Sequence, residues 1–235
     1  MSRMSQETSR CRLCGGDPKS VEAPEKRREP RRVYSWCEEC GFVELHPEFR
    51  PTPEAERERY LEHNNSADNR GYIDFLTRFI DAAFPRAGHG NPHDLSGLTV
   101  LDFGSGPNPV LAELLALRGA DVDVYDPFFA PDRTRRNVSY DVIILHEVIE
   151  HLFEPMQTLQ ELQGRLVADG QLLVRTLFHP RSPQEFLTWR YRRDTTHVCF
   201  FAPRTMSWIG REVLGRRTVT MDPDITIFGP AAVTP

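Results

Sequence analysis

The stretch Leu98-Thr-Val-Leu-Asp-Phe-Gly-Ser-Gly-Pro-Asn-Pro-Val-Leu-Ala-Glu-Leu-Leu-Ala-Leu-Arg-Gly119 limits most strongly what this chain can fold into. Val100-Leu101 reads as a buried strand that ends in Asp102. Gly104-Ser-Gly106 supplies a tight turn, and Pro109 suits the first position of a helix, where its missing N–H costs nothing. Val110, Leu111, Leu114, Leu115 and Leu117 follow at helical spacing, and Gly119 stops the helix. Strand, glycine turn and helix N-terminus together aim backbone N–H groups and the positive end of a dipole at a ligand.

Two ligand classes use such a turn. The dinucleotide fingerprint G-x-G-x-x-G would need a third glycine where this chain has Pro109. Asp102 before the turn would repel a pyrophosphate and suits a ligand carrying an ammonium group. Further on, Asp121-Val-Asp-Val-Tyr-Asp126 reads as a second strand ending in a carboxylate that can accept ribose hydroxyls. D-x-G-x-G followed by V-x-V-Y-D resembles motif I and the second strand of class I methyltransferases. That resemblance implies a Rossmann-like α/β sheet and S-adenosylmethionine as cofactor. It assigns Asp102, Gly104, Ser105, Gly106 and Asp126 to the cofactor, with His146 and Glu147 joining from the next strand end. A dinucleotide-binding turn is the alternative.

At 235 residues the chain fits one medium domain plus a small one. Its 39% hydrophobic and 27% charged residues are ordinary for a soluble fold, and no apolar run approaches the ~20 residues of a membrane span. Met1-Ser-Arg-Met-Ser-Gln-Glu7 lacks the apolar core of a signal peptide, so a cytoplasmic protein without membrane partners is expected. A net charge of −5 argues against nucleic-acid binding over the whole surface but permits a local basic patch.

Cys11-Arg-Leu-Cys14 and Cys37-Glu-Glu-Cys40 are two C-x-x-C knuckles, each followed by glycine. Without a secretion signal, disulfides are the less expected use of such pairs. Two knuckles complete a tetrahedral four-sulfur shell for structural zinc, and so small a module would draw much of its stability from the metal. Residues 1–50 are therefore expected to form a zinc ribbon with its own core, 51–94 a linker with lid helices, and 95–235 the main domain. Between the knuckles, Lys26-Arg-Arg-Glu-Pro-Arg-Arg32 stands beside Tyr34 and Trp36. This is either an RNA-docking patch with stacking rings or a solvated loop tip whose aromatics pack on the metal knuckle, and the second is favoured.

After the proline-rich 47–53 segment, Pro53-Glu-Ala-Glu-Arg-Glu-Arg-Tyr-Leu61 reads as a charged helix. Gly71 to Phe84 places Ile73, Leu76, Phe79 and Ile80 on one helical face. In class I methyltransferases such helices often cover the substrate side of the pocket. His63, Asn64 and Asn65 between them either line a lid or cap the helix turn, capping being the favoured role. Beyond Asp126, residues 127–139 leave little room for a crossover and a full strand, so a shortened third strand is expected, with the adenine contact unassigned.

Tyr140-Asp-Val-Ile-Ile-Leu-His-Glu-Val-Ile-Glu-His151 gives a strand with a polar cluster at its C-terminal end, where ligands bind in open parallel sheets. A helix from Pro155 and a strand Leu172-Leu-Val174 follow. Ser182-Pro-Gln-Glu185 is a capping box, a helix runs from Pro203 to about Val213, and 216–221 with 225–228 forms a closing antiparallel hairpin. Cys199, among aromatics, reads as a core residue. Tyr140 through Thr176 resembles the ubiquinone-biosynthesis O-methyltransferases, and with the cysteine knuckles the chain resembles bacterial zinc-ribbon class I methyltransferases.

Glu147, Glu150 and His151 stand at i, i+3 and i+4, so a helical turn would put them on one face. With His197 they form a candidate second metal site. The spacing resembles metal-dependent relatives, the ubiquinone-pathway enzymes and small-RNA 2′-O-methyltransferases, which implies magnesium or a similar cation at the acceptor. Without a metal, the same groups only hydrogen-bond, and His151 or His197 is a general base. The expected activity is methyl transfer to an unidentified small-molecule or sugar O, N or C nucleophile, with Glu147, His151 and His197 catalytic. An RNA methyltransferase docking through the ribbon, and a non-catalytic cofactor-binding scaffold, are the alternatives.

Overall fold

The computed structural model describes residues 10–25, 29–63, 65–132, 138–221 and 224–230. Lys26, Arg27, Arg28, Asn64 and the N-terminal reading of 1–7 lie outside them. The first cysteine knuckle precedes, and the second interrupts, an antiparallel sheet of β1 (Lys19–Ala23), β2 (Arg32–Trp36) and β3 (Val43–Leu45), Cys37–Cys40 lying between β2 and β3. Helix α1 (Pro53–Leu61) has Thr52 as N-cap, with Pro53 at its first position, and buries none of its residues. Helix α2 (Arg70–Arg86) is capped by the Asn69 side chain and buries Leu76, Phe79 and Ile80 of the stripe that the periodicity predicts, with Ile73 half-buried at its edge.

The main sheet begins with β4 (Thr99–Phe103), followed by the glycine turn and helix α3 (Val110–Ala116). Pro109 is the N-cap of α3, one residue before the position expected from sequence. Next come β5 (Asp121–Tyr125), β6 (Tyr140–His146), helix α4 (Pro155–Gln163) and β7 (Leu166–Arg175). Helix α5 (Pro183–Thr188) starts at the Ser182 cap, and its Oγ accepts from Glu185 N. The short β8 (Cys199–Phe200) precedes helix α6 (Pro203–Trp208), which runs into a π-helical turn at Ile209–Val213. The hairpin β9 (Arg217–Met221) and β10 (Ile225–Gly229) closes the chain.

The six strands lie in the order β5-β4-β6-β7-β10-β9. β5, β4, β6 and β7 are parallel, and β10 enters antiparallel between β7 and β9. Among the described residues no strand lies between β5 and β6, so the expected shortened third strand is absent there and β5 is the sheet edge. Alternation along the strands sends Val100, Val142, Ile144 and Leu173 to one face, against α2 and α3, and Leu101, Ile143, Leu145 and Leu172 to the other. Burial on both faces explains the unbroken Val-Ile-Ile-Leu run of β6.

One expectation is overturned. The cysteine-rich region has no separate core, because β8 pairs with β3 and makes the small sheet four-stranded, β1-β2-β3-β8. Cys37, Tyr34, Trp36 and Val43 share one continuous apolar cluster with Phe186, Phe200, Ile143 and Leu159. The small sheet therefore covers one end of the large sheet's second face, and its aromatic residues find there the apolar surface that a region this short cannot supply alone.

Candidate active site

The glycine turn sits at the C-terminal edge of the parallel strands. Gly104 has φ +83° and Gly106 φ +66°, conformations that favour glycine. Gly104 N–H and Ser105 N–H donate to Tyr125 O, and Gly106 N–H donates to Asp126 Oδ2 at 2.9 Å. Asp126 Oδ1 accepts from Phe128 N and Phe129 N, so this carboxylate is held against the turn. A Cβ on Gly104 would lie 2.5 Å from Val148 Cγ2, whereas one on Gly106 would meet nothing within 4 Å, because Gly106 fronts open space. Asp102, buried under the turn, is raised to about 7 by burial and by the charge of Asp126. A ligand ammonium would return it to the carboxylate form, and Asp126 offers acceptor lone pairs to hydroxyls. This donor set fits S-adenosylmethionine.

One cavity of about 660 Å³ joins this turn to the polar cluster after β6, within the usual range of small-molecule sites. Gly104, Ser105, Gly106, Asp126, His146, Glu147, His151 and His197 all line it. Phe103 and Tyr125, stacked at 5.0 Å between ring centroids, form part of its wall.

The cluster itself differs from the single helical face expected. Glu147 has φ +55°, the sole non-glycine residue with positive φ among those described, and the following turn, Ile149–His151, is 3₁₀. This conformation turns Glu147 to Arg175, whose Nη1 lies 2.6 Å from Glu147 Oε1 and whose other nitrogen pairs with Asp224. Glu150, His151 and His197 gather instead, one side-chain N or O from each within 4.8 Å of the others. Glu147 is thus outside the group that could share a cation. Tyr191, which the sequence reading did not single out, places its hydroxyl between Glu150 and Glu147 Oε2, 3.0 Å from the latter. Its ring centroid is 4.1 Å from that of His197.

Burial sets the protonation states. Glu150 is fully buried and raised well above the carboxylate range by burial and by Glu147, and its Oε2 finds no partner among the described residues. His151 is lowered to about 3 and His197 to about 4, chiefly by burial. His151 Nδ1 lies 3.1 Å from Thr196 O and His197 Nδ1 2.7 Å from Tyr191 O. A carbonyl can only accept, so both rings carry their proton on Nδ1 and keep the Nε2 lone pair. His146 packs edge-on against Phe75 and Phe79 and is lowered to about 3 by burial and by Arg175.

Helix α1 and the residues just after it close the cavity. Glu56, Tyr60 and His63, at i, i+4 and i+7, line it together with Asn65. Tyr60 donates to Glu56 Oε1 at 2.5 Å, and its ring meets His151 at 5.3 Å and Phe128 at 5.9 Å. Capping of α2 falls to Asn69, which sequence reasoning passed over, and His63 and Asn65 face the cavity. The i, i+4, i+7 spacing of Glu56, Tyr60 and His63 was the available signal.

In the cysteine-rich region, the sulfurs of Cys11, Cys14, Cys37 and Cys40 lie within 4.8 Å of one another. The Sγ atoms of Cys11 and Cys40 are 3.6 Å apart and those of Cys14 and Cys37 3.4 Å, with all four thiols unbridged. Zinc bonds of ~2.3 Å in a tetrahedron would set sulfurs about 3.8 Å apart, so the quartet fits zinc. Gly15 (φ +75°) and Gly41 (φ +76°) turn the two knuckles alike. In the basic run, Arg31 pairs with Glu22, and buried Arg32 donates to the carbonyls of Arg192 and Asp194. Tyr34 and Trp36 are buried against Phe186, which removes the stacking platform. No helix among the described residues is long and apolar enough to cross a membrane.

Comparison with known proteins extends these observations. A family model described as a methyltransferase domain matches residues 55–213. No curated protein matches the chain. Among solved structures, an O-methyltransferase family protein from Burkholderia thailandensis is similar at 13% identity and a TM-score of 0.45, covering 76% of this chain and 64% of that one. An O-methyltransferase family 2 protein from Planctomyces limnophilus, in complex with apigenin, is 14% identical with a TM-score of 0.50, covering 80% and 64%. The 1,6-didemethyltoxoflavin-N1-methyltransferase of Burkholderia thailandensis, bound to S-adenosylhomocysteine, is 12% identical with a TM-score of 0.50, covering 88% and 97%. The chain thus spans just under two thirds of the first two and nearly all of the third.

Proposed function

We propose, since this chain belongs to the methyltransferase-domain family, that it transfers a methyl group from S-adenosylmethionine to a small-molecule acceptor. The observation that carries this reading is the continuous cavity running from the Gly104–Gly106 turn, with Asp102 buried beneath it, to His151 and His197. S-adenosylmethionine supplies a methyl group activated on a sulfonium. Asp102 would hold its ammonium, the glycine turn its backbone, and Asp126 its ribose hydroxyls. At the other end, the unprotonated Nε2 atoms of His151 and His197 face an acceptor O–H or N–H as hydrogen-bond acceptors or bases. Much of the rate would come from positioning, with a base needed only where the acceptor must lose a proton.

An RNA acceptor is the weaker alternative, because Arg32 is buried on internal carbonyls and the platform rings are buried as well. The cysteine quartet we assign to structural zinc, on its sulfur spacing. A divalent cation at Glu150, His151 and His197 is a second reading, favoured by the orphaned Glu150 Oε2. Two imidazoles and one carboxylate suit a transition ion better than magnesium, which prefers oxygen. Calorimetry with S-adenosylmethionine and with a nicotinamide dinucleotide, followed by a metabolite screen for methyl transfer, tests the main reading. Binding of the dinucleotide alone would overturn it. Metal analysis tests the rest: one zinc per chain, and a second equivalent of another metal that disappears in His151→Ala.

A further inference from the structure

Helix α1 raises a physical question, because it buries none of its residues and yet packs against the site. An amphipathic helix is ordinarily held by an apolar stripe. What joins α1 to the loop at 194–197 is an ion pair: Arg59 Nε and Nη2 donate to Asp194 Oδ2 at 3.1 and 2.7 Å. The other oxygen of Asp194, itself 3.5 Å from Arg59 Nε, has a further task. Oδ1 accepts from Thr196 N at 3.0 Å and from Thr196 Oγ1 at 2.7 Å, closing an Asx-type turn. Thr196 is buried, and its carbonyl is the acceptor that holds His151 Nδ1.

The bonds form one line from the surface helix to the reactive ring: Arg59, the Asp194 carboxylate, the Thr196 peptide, and His151. We propose that Arg59 is a positioning residue, which through Asp194 and Thr196 sets the orientation and tautomer of His151, so that docking of α1 and readiness of the site are one event. The inference rests on the methyl-transfer reading for its purpose, but its geometry does not. Without Arg59, Asp194 Oδ2 keeps only His63 Nε2, 3.7 Å away, while Oδ1 keeps its Thr196 bonds; the carboxylate is then free to swing toward water, and the Thr196 carbonyl loses its fixed aim. The imidazole then regains a choice of tautomer, and Nε2–H removes the lone pair that faces the cavity. His197 is expected to stay unchanged, because its Nδ1 partner is Tyr191 O, outside this line.

Histidine-ring ¹H–¹⁵N correlation spectra of the whole protein read the tautomers without any acceptor substrate, with His151 assigned by its absence in His151→Gln. The wild type is expected to show the Nδ1–H pattern at both His151 and His197. Arg59→Gln should lose that pattern at His151 alone, Arg59→Lys should restore part of it, and Asp194→Ala should lose it as well. Titration with S-adenosylmethionine in parallel should show unchanged affinity in Arg59→Gln, which also reports that the variant is folded. Retention of the wild-type His151 pattern in Arg59→Gln overturns the proposal, whether or not Asp194→Ala changes it. Failure of every form, wild type included, to bind S-adenosylmethionine would instead remove the methyl-transfer reading and leave the tautomer result to be judged by itself.

Discussion

Asp102 combines a buried carboxyl with a role that needs its charge. Held at about 7 in the free protein, it is mostly protonated in mildly acidic solution. A bound ammonium favours the carboxylate, so binding below pH 7 must expel a proton. Affinity for S-adenosylmethionine is therefore expected to fall as pH falls, approaching about tenfold per unit. Calorimetry in buffers of different ionisation enthalpy should detect the released proton at pH 6, and Asp102→Asn should lose both the release and the affinity. Gly104 makes a second case. Its added Cβ would overlap Val148 Cγ2, so Gly104→Ala is expected to destabilise by about 1–3 kcal/mol and to weaken cofactor binding. Val148→Ala should return part of the stability, and its failure to do so in thermal melts would place the strain in the φ of +83° instead.

Among the elements, the segment 198–200 has neighbours on both sides. Val198 N–H donates to Glu150 O at 2.8 Å, while Val198 O accepts from Leu45 N at 2.7 Å. The small sheet, the turn bearing Glu150 and His151, and the strand after His197 are thus tied in one ladder. His179 adds a further tie, its Nε2 lying 2.7 Å from Gly41 O at the second knuckle. If zinc fills the quartet, replacing Cys37 and Cys40 with serine is expected to do more than melt a separate module. Turnover should drop together with zinc content, and the melting curve should remain one transition at lower temperature. Two well-separated transitions, with the main sheet unaffected, would show that the shared apolar cluster does not couple the regions.

For the molecule as a whole, three imidazoles that line the cavity shape the acid response, with His89 and His179 lowered by burial beside them. His146 and His151 are lowered to about 3 and His197 to about 4, against an ordinary value near 6.5. The unfolded chain therefore binds these protons first. Their contribution to stability is complete above pH ~6.5 and is lost as pH falls toward 3–4, at up to about 1.4 kcal/mol per unit for each group. Denaturant midpoints should decline steeply between pH 6 and 4, and His146→Phe, flanked by Phe75 and Phe79, should flatten part of that slope. A slope unchanged in His146→Phe would mean that other groups carry the acid response.

The local chemistry of this chain was legible in its sequence. Glycine spacing, Asp102 and Asp126 marked the cofactor turn, because strand-turn-helix geometry and charge are set within a few residues. The paired C-x-x-C knuckles were equally readable, since each closes on itself, and so were the Ser182 cap and the closing hairpin. What needed the tertiary structure was every relation between distant segments. No short-range pattern says that β8 joins the cysteine-rich sheet, that Tyr191 stands between two glutamates, or that Glu147 turns to Arg175 and leaves Glu150, His151 and His197 together. Helical periodicity put Glu147 with the cluster; a positive φ at one residue, held by an arginine 28 positions later, moved it away. The α1 stripe shows the same division. Its spacing is in the sequence, but with charged residues at most positions and no apolar stripe it reads as a solvated helix, and only the fold supplies the cavity it closes.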